Sequence, residues 1–290
     1  MHPRQRFTLH LPRGAPFALG ERTLVMGIVN VTPDSFSDGG RFFDAKAAVA
    51  AAVRMVEDGA DLLDVGGEST RPGAVPVESG EELRRVVPVI EALAGRVSVP
   101  ISVDTYKASV ADAALAAGAS IVNDISGLRY EPALAGVAAR HGAPIILMHT
   151  RGRSRDMYEQ ASYHDVVAEV LDELRESVAF ATGAGVPAGQ ILVDPGLGFA
   201  KDGTHSYEVL GRLAEFADLG RPVVIGASRK SFLNRPIKRA SLAAEGDWPT
   251  AASVAAAALA GMHIVRVHAV REMVQVVRVA DEIRKYHRER

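Results

Sequence analysis

Eight apolar stretches of this chain end in, or carry near their carboxyl ends, a residue that is costly to bury without a partner. They are Asn30, Asp64, Asp104, Asn123 with Asp124, His149, Asp194, Ser228 with Lys230, and Arg266 with His268. Carboxylates, amides, imidazoles and cations brought to one place supply donors and acceptors for a polar ligand and fixed charge for a developing ion. Taken singly, any Asp or Asn in this set reads equally well as the cap of a following helix. Eight in phase do not. The chain has no cysteine, which excludes disulfides, thiolate metal sites and a cysteine nucleophile, so any metal must sit on oxygen or nitrogen. A desolvated Lys230 also suits the Schiff-base lysine of an aldolase, but its setting, Ser228-Arg229-Lys230-Ser231, fits anion and carbonyl recognition better.

Such residues need elements that aim them at one another. From Leu24 onward the sequence repeats an apolar run, a polar or glycine-rich turn and an amphipathic stretch, the alternation of a parallel sheet with crossover helices. Strands are predicted at 24–31, 61–66, 101–104, 121–125, 144–149, 191–194, 222–226 and 263–268. Eight is the number that closes a barrel, and barrel enzymes carry their chemistry at the carboxyl ends of the strands. Ser79 with Glu82 reads as a capping box, and Thr105 and Thr250 stand where N-caps belong. Gly59, Gly118, Gly142 and Gly261 each stand before a strand, where a left-handed residue ends a helix. An open dinucleotide-binding sheet would show Gly-x-Gly-x-x-Gly after its first strand; here the text is Asn30-Val31-Thr32-Pro33-Asp34-Ser35-Phe36.

The fold class expected is therefore α/β, a (β/α)8 TIM barrel. It occupies 23–285 of a single domain spanning 1–290. Residues 1–22 stand outside the repeat, and Thr8 to Leu11 with Ala18 to Leu24 are expected to form a short hairpin closing the bottom of the barrel. The irregular stretch from Arg235 to Trp248 reads as a loop. A 48% hydrophobic content excludes disorder, and a net charge of -2 offers no basic field for nucleic acid or an anionic membrane. Small-molecule partners are expected. The start is broken by Pro3, Arg4, Arg6, Pro12 and Arg13, and the longest greasy stretch, 251–260, is far short of the ~20 residues that cross a bilayer. The expected location is the cytoplasm.

The stretch from Met26 to Gly40, with Asp64-Val65-Gly66-Gly67-Glu68-Ser69-Thr70-Arg71-Pro72-Gly73, resembles the paired signatures of the pterin-binding enzymes, dihydropteroate synthases above all. Further matches follow in order: Ser102-Val103-Asp104-Thr105, Val122-Asn123-Asp124-Ile125-Ser126-Gly127, Leu147-Met148-His149, Asp194-Pro195-Gly196-Leu197-Gly198-Phe199, Ser228-Arg229-Lys230-Ser231 and Arg266-Val267-His268. The likeness spans 23–283.

That resemblance implies condensation of 6-hydroxymethyl-7,8-dihydropterin diphosphate with 4-aminobenzoate, giving 7,8-dihydropteroate and diphosphate in folate biosynthesis by an SN1-like route. It implies that Asp104, Asn123, Asp194 and Lys230 carry the reaction, and that the pterin is bound by those four with Met148, Phe199 and Arg266. Asn30, Thr70, Arg71, Arg266 and His268 would hold the diphosphate, and Asn30 would face a Mg2+ ion. Phe36, Thr70, Pro72, Lys230 and Ser231 would form the aminobenzoate slot, with Ser231 opening a helix whose N–H groups receive the carboxylate.

Three places depart from the family's usual text. Thr150-Arg151-Gly152-Arg153-Ser154 replaces a Gly-x-Pro turn, Ala200 stands where Gly is common, and Ala269 where Asp is common. These leave open the shape of the fifth loop and the partner of His268 or a nearby Arg. A methyltransferase acting on a corrinoid protein would share the pterin-recognition residues but has no use for the Ser-Arg-Lys-Ser and Arg-x-His motifs. A paralogue that binds pterin without turnover is the non-enzymatic alternative. The family is usually a homodimer, and Val274, Val277 and Ile283 are candidates for its contact face.

Overall fold

Valine, isoleucine and leucine crowd the apolar runs, and β-branched side chains suit a pleated, packed surface better than a helix. In a computed structural model, which describes residues 4–32, 45–70, 73–237 and 247–286, those runs are strands. A hairpin, β1 (Phe7–Leu9) and β2 (Phe17–Leu19), comes first. There follow β3 (Leu24–Asn30), α1 (Ala45–Glu57), β4 (Leu62–Gly66), α2 (Ser79–Ala94), β5 (Ile101–Asp104), α3 (Ala108–Ala117), β6 (Ile121–Asp124) and α4 (Ala133–His141). The chain continues through β7 (Ile145–Met148), α5 (Val166–Gly183), β8 (Ile191–Asp194), α6 (Gly203–Gly211), β9 (Val224–Ile225), α7 (Trp248–Ala260), β10 (Ile264–Val267) and α8 (Val270–Lys285). Strands β3 to β10 pair in parallel in the order β8, β7, β6, β5, β4, β3, β10, β9. A parallel bridge between Val193 and Val223 joins β8 to the start of β9 and closes the ring. This is the expected (β/α)8 barrel, with every strand within two residues of its predicted bounds.

Side chains alternate across a strand, and parallel register decides which ones share the interior. Leu24, Met26, Leu62, Ile121, Ile146, Leu192, Val224 and Ile264 form one apolar cluster inside the barrel, with Leu9 and Leu19 of the hairpin beneath them. Two three-residue strands are marginal alone. Burying Leu9 and Leu19 contributes on the order of 3–5 kcal/mol, which holds the hairpin as a plug. Two positions further along β4, β6, β8 and β10, the same parity brings Asp64, Asn123, Asp194 and Arg266 to the interior at the carboxyl end. The opposite parity, Val25, Val29, Leu63, Val65, Val103, Val122, Leu147 and Val193 among others, packs against the helices.

Helix ends follow the glycine expectation: Gly59, Gly118, Gly142 and Gly261 all adopt positive φ. The capping expectations are corrected. Helix α2 begins at Ser79 after Glu78, and Glu82 turns inward to pair with Lys107 instead of reaching back to a cap. Thr105 accepts the Lys107 N–H at 3.2 Å, two residues short of a cap for α3. Thr250 lies inside α7 and accepts the Arg229 N–H at 3.1 Å. Side-chain caps stand instead at Asp165, before α5, and Asp202, before α6. On α8, Val274 and Val277 are 6% and 3% exposed and pack on the barrel, so they offer no contact face; Ile283, 53% exposed, lies at the surface. Most of the predicted seventh loop lies outside the described residues.

Candidate active site

Strand parity delivers a cluster of charges to the barrel mouth. Arg266 of β10 stands at its centre, donating from Nε to Asp64 Oδ2 at 2.6 Å and from Nη2 to Asp104 Oδ2 at 2.6 Å. Asn123 donates from Nδ2 to the same Asp64 oxygen at 2.9 Å. Asp64 is fully buried, and its Oδ1 has no hydrogen-bond partner among the described residues. An unsatisfied buried carboxylate oxygen is costly, and here it lies beside the groups assigned to ligand recognition. Asp64, to which the motifs assign no role, ties Arg266 and Asn123 together.

Across the mouth, Asp194 accepts the Gly196 N–H through Oδ1 at 2.7 Å. Its Oδ2 faces Gly226, where a built Cβ would lie 3.7 Å from that oxygen and 3.9 Å from Arg266, so the missing side chain opens the floor between them. Lys230 donates to the Leu197 carbonyl, and its Nζ lies 4.4 Å from the centre of the Phe199 ring. Met148 is buried at the end of β7 beneath the 196–199 turn. The structure therefore brings Asp104, Asn123, Met148, Asp194, Phe199, Lys230 and Arg266 to one mouth.

Crowding perturbs these groups strongly. Burial pushes the Asp104 carboxyl up to about 7, against the pull of Arg266, and the negative charge of Asp64 adds to the rise. Burial likewise raises Asp194, opposed by Lys230 and Gly196. The Lys230 ammonium is pushed down to about 8 by burial, with Asp194 opposing. Arg266 is held charged by Asp64 and Asp104. Asp64 and Asp104 share one guanidinium, so that side of the mouth favours positive charge in what it holds.

Ser228 and His268 form a pair beside this cluster: Ser228 Oγ lies 2.9 Å from His268 Nδ1 and accepts the His268 N–H at 3.2 Å. The partner left open by Ala269 is thus Ser228 for the histidine, while Arg229 pairs with Asp247 at 2.8 and 2.9 Å. Ala269 itself caps α8 with no side-chain acceptor. Asn30, half-buried, ends β3, and Thr70, half-buried, stands in the loop after β4. That loop is fastened at its root by Glu68, which takes the Lys107 ammonium, the Tyr106 hydroxyl at 3.1 Å and the Val77 N–H at 3.0 Å. Phe36, Arg71 and Pro72 lie outside the described residues. Ser231 is exposed and opens a single 3-10 turn, Ser231–Asn234, so the expected helix N-terminus is corrected to one turn with little dipole.

Two rim residues serve structure. Asp124 and His149 have the outward parity of β6 and β7. Asp124 accepts the N–H groups of Ser126 at 2.8 Å and Leu128 at 2.6 Å, closing a turn. His149 Nε2 lies 3.1 Å from Glu173 Oε2, on α5. The fifth loop is a strap of cations on rings: Arg151 lies 4.1 Å from the Tyr163 ring centre and Arg153 4.4 Å from that of Tyr130. Tyr158 and Tyr163 donate to the carbonyls of Gly198 and Ala200 at 3.2 and 2.9 Å, and Gly73 donates to Ser154 O at 2.9 Å. Ala200 has φ of 46°, the left-handed conformation that explains the glycine of relatives.

A family model described as pterin binding enzyme matches residues 26–268. The chain is 47% identical to the dihydropteroate synthase of Bacillus subtilis, over 90% of this chain and 88% of the relative. It superposes on the solved Xanthomonas albilineans dihydropteroate synthase with 4-aminobenzoic acid, with TM-score 0.88 and 41% identity over 98% and 100% of the two chains. A structure of the Xanthomonas albilineans enzyme in complex with 7,8-dihydropteroate gives TM-score 0.80 and 41% identity over 92% and 95%.

Proposed function

The chain belongs to the pterin-binding enzyme family, and we propose from that premise how its barrel mouth performs the dihydropteroate synthase reaction. The enzyme is a transferase that condenses 6-hydroxymethyl-7,8-dihydropterin diphosphate with 4-aminobenzoate, giving 7,8-dihydropteroate and diphosphate. The observation that carries the site assignment is convergence: Asp104, Asn123, Asp194, Lys230 and Arg266 come from five strands or their loops to one mouth.

Ionised Asp194 accepts from the amino-pyrimidine edge of the pterin, Lys230 donates toward the ring carbonyl, and Asn123 and Asp104 meet the remaining nitrogens. Met148 and Phe199 pack the ring, and Arg266 lies along it. The C–O bond to diphosphate breaks with its electron pair leaving on oxygen. The positive charge left on the exocyclic methylene spreads into the dihydropterin, and the Asp104 anion stabilises it. The arylamine lone pair then forms the C–N bond, and the surplus amine proton passes to water. No protein nucleophile is needed.

Arg266, which keeps further N–H groups beyond its two carboxylate bonds, and His268 hold the leaving diphosphate, with Thr70 and Arg71 from the second loop. Ser228, already accepting the His268 N–H, donates its hydroxyl proton to Nδ1, which leaves the Nε2–H as the donor to diphosphate. Phe36, Thr70, Pro72, Lys230 and Ser231 form the aminobenzoate slot. A Mg2+ ion carried in on the diphosphate would neutralise charge on the leaving group. Asn30 offers it one amide oxygen, and among the described residues no group of three His, Asp or Glu gathers for a metal, a donor set that suits an ion held mainly by its substrate. An Asn30→Ala variant is expected to need more Mg2+; unchanged Mg2+ dependence would remove Asn30 from that role.

The reading extends to a cytoplasmic homodimer. A diphosphate ester does not cross a bilayer unaided, so its consumer belongs in the compartment that makes it. Val279 and Ile283 of α8, with Tyr286 just beyond it, leave an apolar stripe exposed at helical spacing. The primary test is an assay of diphosphate release, expected to require both the dihydropterin diphosphate and 4-aminobenzoate. Release at full rate without the arylamine would overturn the reaction assigned.

A further inference from the structure

Lys201 has no part in the chemistry above, yet its long side chain is among the largest fully buried ones of the described residues, at 1% exposure. Its Nζ lies 2.7 Å from His149 Nδ1, 3.0 Å from Phe199 O and 3.2 Å from Gly196 O. An ammonium has three N–H groups, and here they meet three acceptors if Nδ1 presents its lone pair. His149 then carries its proton on Nε2 and donates it to Glu173. Burial, aided by the Lys201 charge, holds the imidazole neutral by lowering it to about 3. Burial also lowers Lys201, while Asp194 and Glu173 favour its charge. Lys230 and Arg151 oppose it. In the charged form all three N–H groups are matched, two by the carbonyls and one by Nδ1; the two carbonyl contacts persist in the neutral amine.

The two carbonyls gripped by Lys201 bracket residues 196–199. Within that turn the Gly196 N–H holds Asp194, the Leu197 carbonyl takes Lys230, and the Phe199 ring lies against the same amine. Below it, the His149 N–H donates to the Asp194 carbonyl at 2.9 Å, joining the end of β7 to the end of β8. We propose that Lys201 is a positioning residue for pterin recognition, fixing the 196–199 turn through Gly196 O and Phe199 O, with neutral His149 as its third acceptor. This rests on the pterin site assigned above. Lys201 touches no substrate in this arrangement and acts through Asp194, Lys230 and Phe199.

The test measures dihydropterin binding in the absence of aminobenzoate, the KM for 4-aminobenzoate, and the thermal midpoint. Lys201→Met keeps the stem and removes the donors. Its dihydropterin Kd is expected to rise by about tenfold to a hundredfold while the KM for aminobenzoate holds within about threefold. A merely structural role would lower the midpoint and the active fraction and leave the Kd of the folded fraction alone. His149 supplies variants that spare Lys201 itself. His149→Asn places an acceptor where Nδ1 stands and should keep the pterin Kd within about threefold, whereas His149→Leu, lacking it, should raise that Kd by about tenfold or more. Wild-type binding with unchanged Kd in Lys201→Met, or equal effects of Asn and Leu at 149, overturns the role of Lys201 alone. Failure of the wild-type enzyme to bind dihydropterin overturns the site and this role with it.

Discussion

Replacing Asp64 by Asn removes one negative charge from beside Asp104 with little change of shape. The two carboxylates share the Arg266 guanidinium, each at 2.6 Å. Carboxylates bridged this way stand roughly 5 Å apart, and at an effective dielectric of about 20 their repulsion is of order 3 kcal/mol, about two pH units. Asp104 is pushed up to about 7, first by burial and then further by Asp64, with Arg266 opposing. With Asp64 neutral, its pKa should fall by about one to two units. If ionised Asp104 stabilises the methylene cation, kcat/KM for the pterin diphosphate rises with pH through about 7 in the wild type. In Asp64→Asn that acidic limb should move to lower pH.

The stability consequence has a definite sign. Asp104 binds its proton more tightly folded than unfolded, so its contribution is full below about 4 and is lost as pH rises through about 7. Asp64→Asn narrows that window and reduces the loss. It also costs about 1–3 kcal/mol overall, because the new amide N–H2 meets the position where Oδ1 has no partner. The assay is diphosphate release against pH at subsaturating pterin diphosphate, with urea unfolding at pH 5 and 8 beside it. An acidic limb that stays in place, or moves to higher pH, refutes the coupling of Asp64 to Asp104.

Lys230, pushed down to about 8, should impose a loss of kcat/KM as pH rises through that value; Lys230→Met should abolish pterin binding measured by calorimetry and remove the alkaline limb from any residual rate. Lys107→Met strands the buried Glu82, whose carboxyl burial already raises, and releases Glu68 at the root of the second loop. Breaking this pair should cost about 3–5 kcal/mol in urea unfolding at pH 7. Gly196→Ala combines φ of 67° with a Cβ driven into the His149 carbonyl oxygen, so it should displace the turn that holds Asp194. The expected result is a pterin Kd raised by about a hundredfold or loss of the folded state, read by calorimetry and circular dichroism.

The architecture was legible because the apolar runs, the turn glycines and the polar run ends repeat in one phase. Much of the site was legible for a further reason. Parity along β4, β6, β8 and β10 carries Asp64, Asn123, Asp194 and Arg266 to the face occupied by Leu62, Ile121, Leu192 and Ile264. The same rule separates the two rim residues that serve structure: Asp124 and His149 sit one position off that face, and a one-residue offset sends a side chain to the helices. Other features depend on pairs distant in sequence. The Ser79 and Glu82 spacing fits a capping box, but Lys107 captures the Glu82 carboxylate from the next strand-helix unit. Lys201 has no local signal, since one lysine after a glycine-rich turn gives no hint that all three of its donors point inward. In the seventh loop Lys230 reaches the mouth as its motif implies, whereas the helix start expected at Ser231 is a single 3-10 turn.

The charge at the mouth explains why a fold would tolerate so many buried ions. Arg266 bonded to two carboxylates, with Lys230 pressed down toward neutrality, is a weak source of stability, because desolvation offsets most of the Coulombic gain. A neutral dihydropterin gains mainly hydrogen bonds from this arrangement. A methylene cation gains those bonds and the negative potential of Asp64 and Asp104, which share the one guanidinium of Arg266. Only the second gain is absent from the ground state, and only an interaction stronger in the transition state raises kcat. The dihydropteroate product carries no such cation, so the same charges that lower the barrier give the product no added hold. Because the carboxylates are fixed by Arg266 and Gly196 before substrate arrives, little reorganisation remains to be made as the C–O bond breaks.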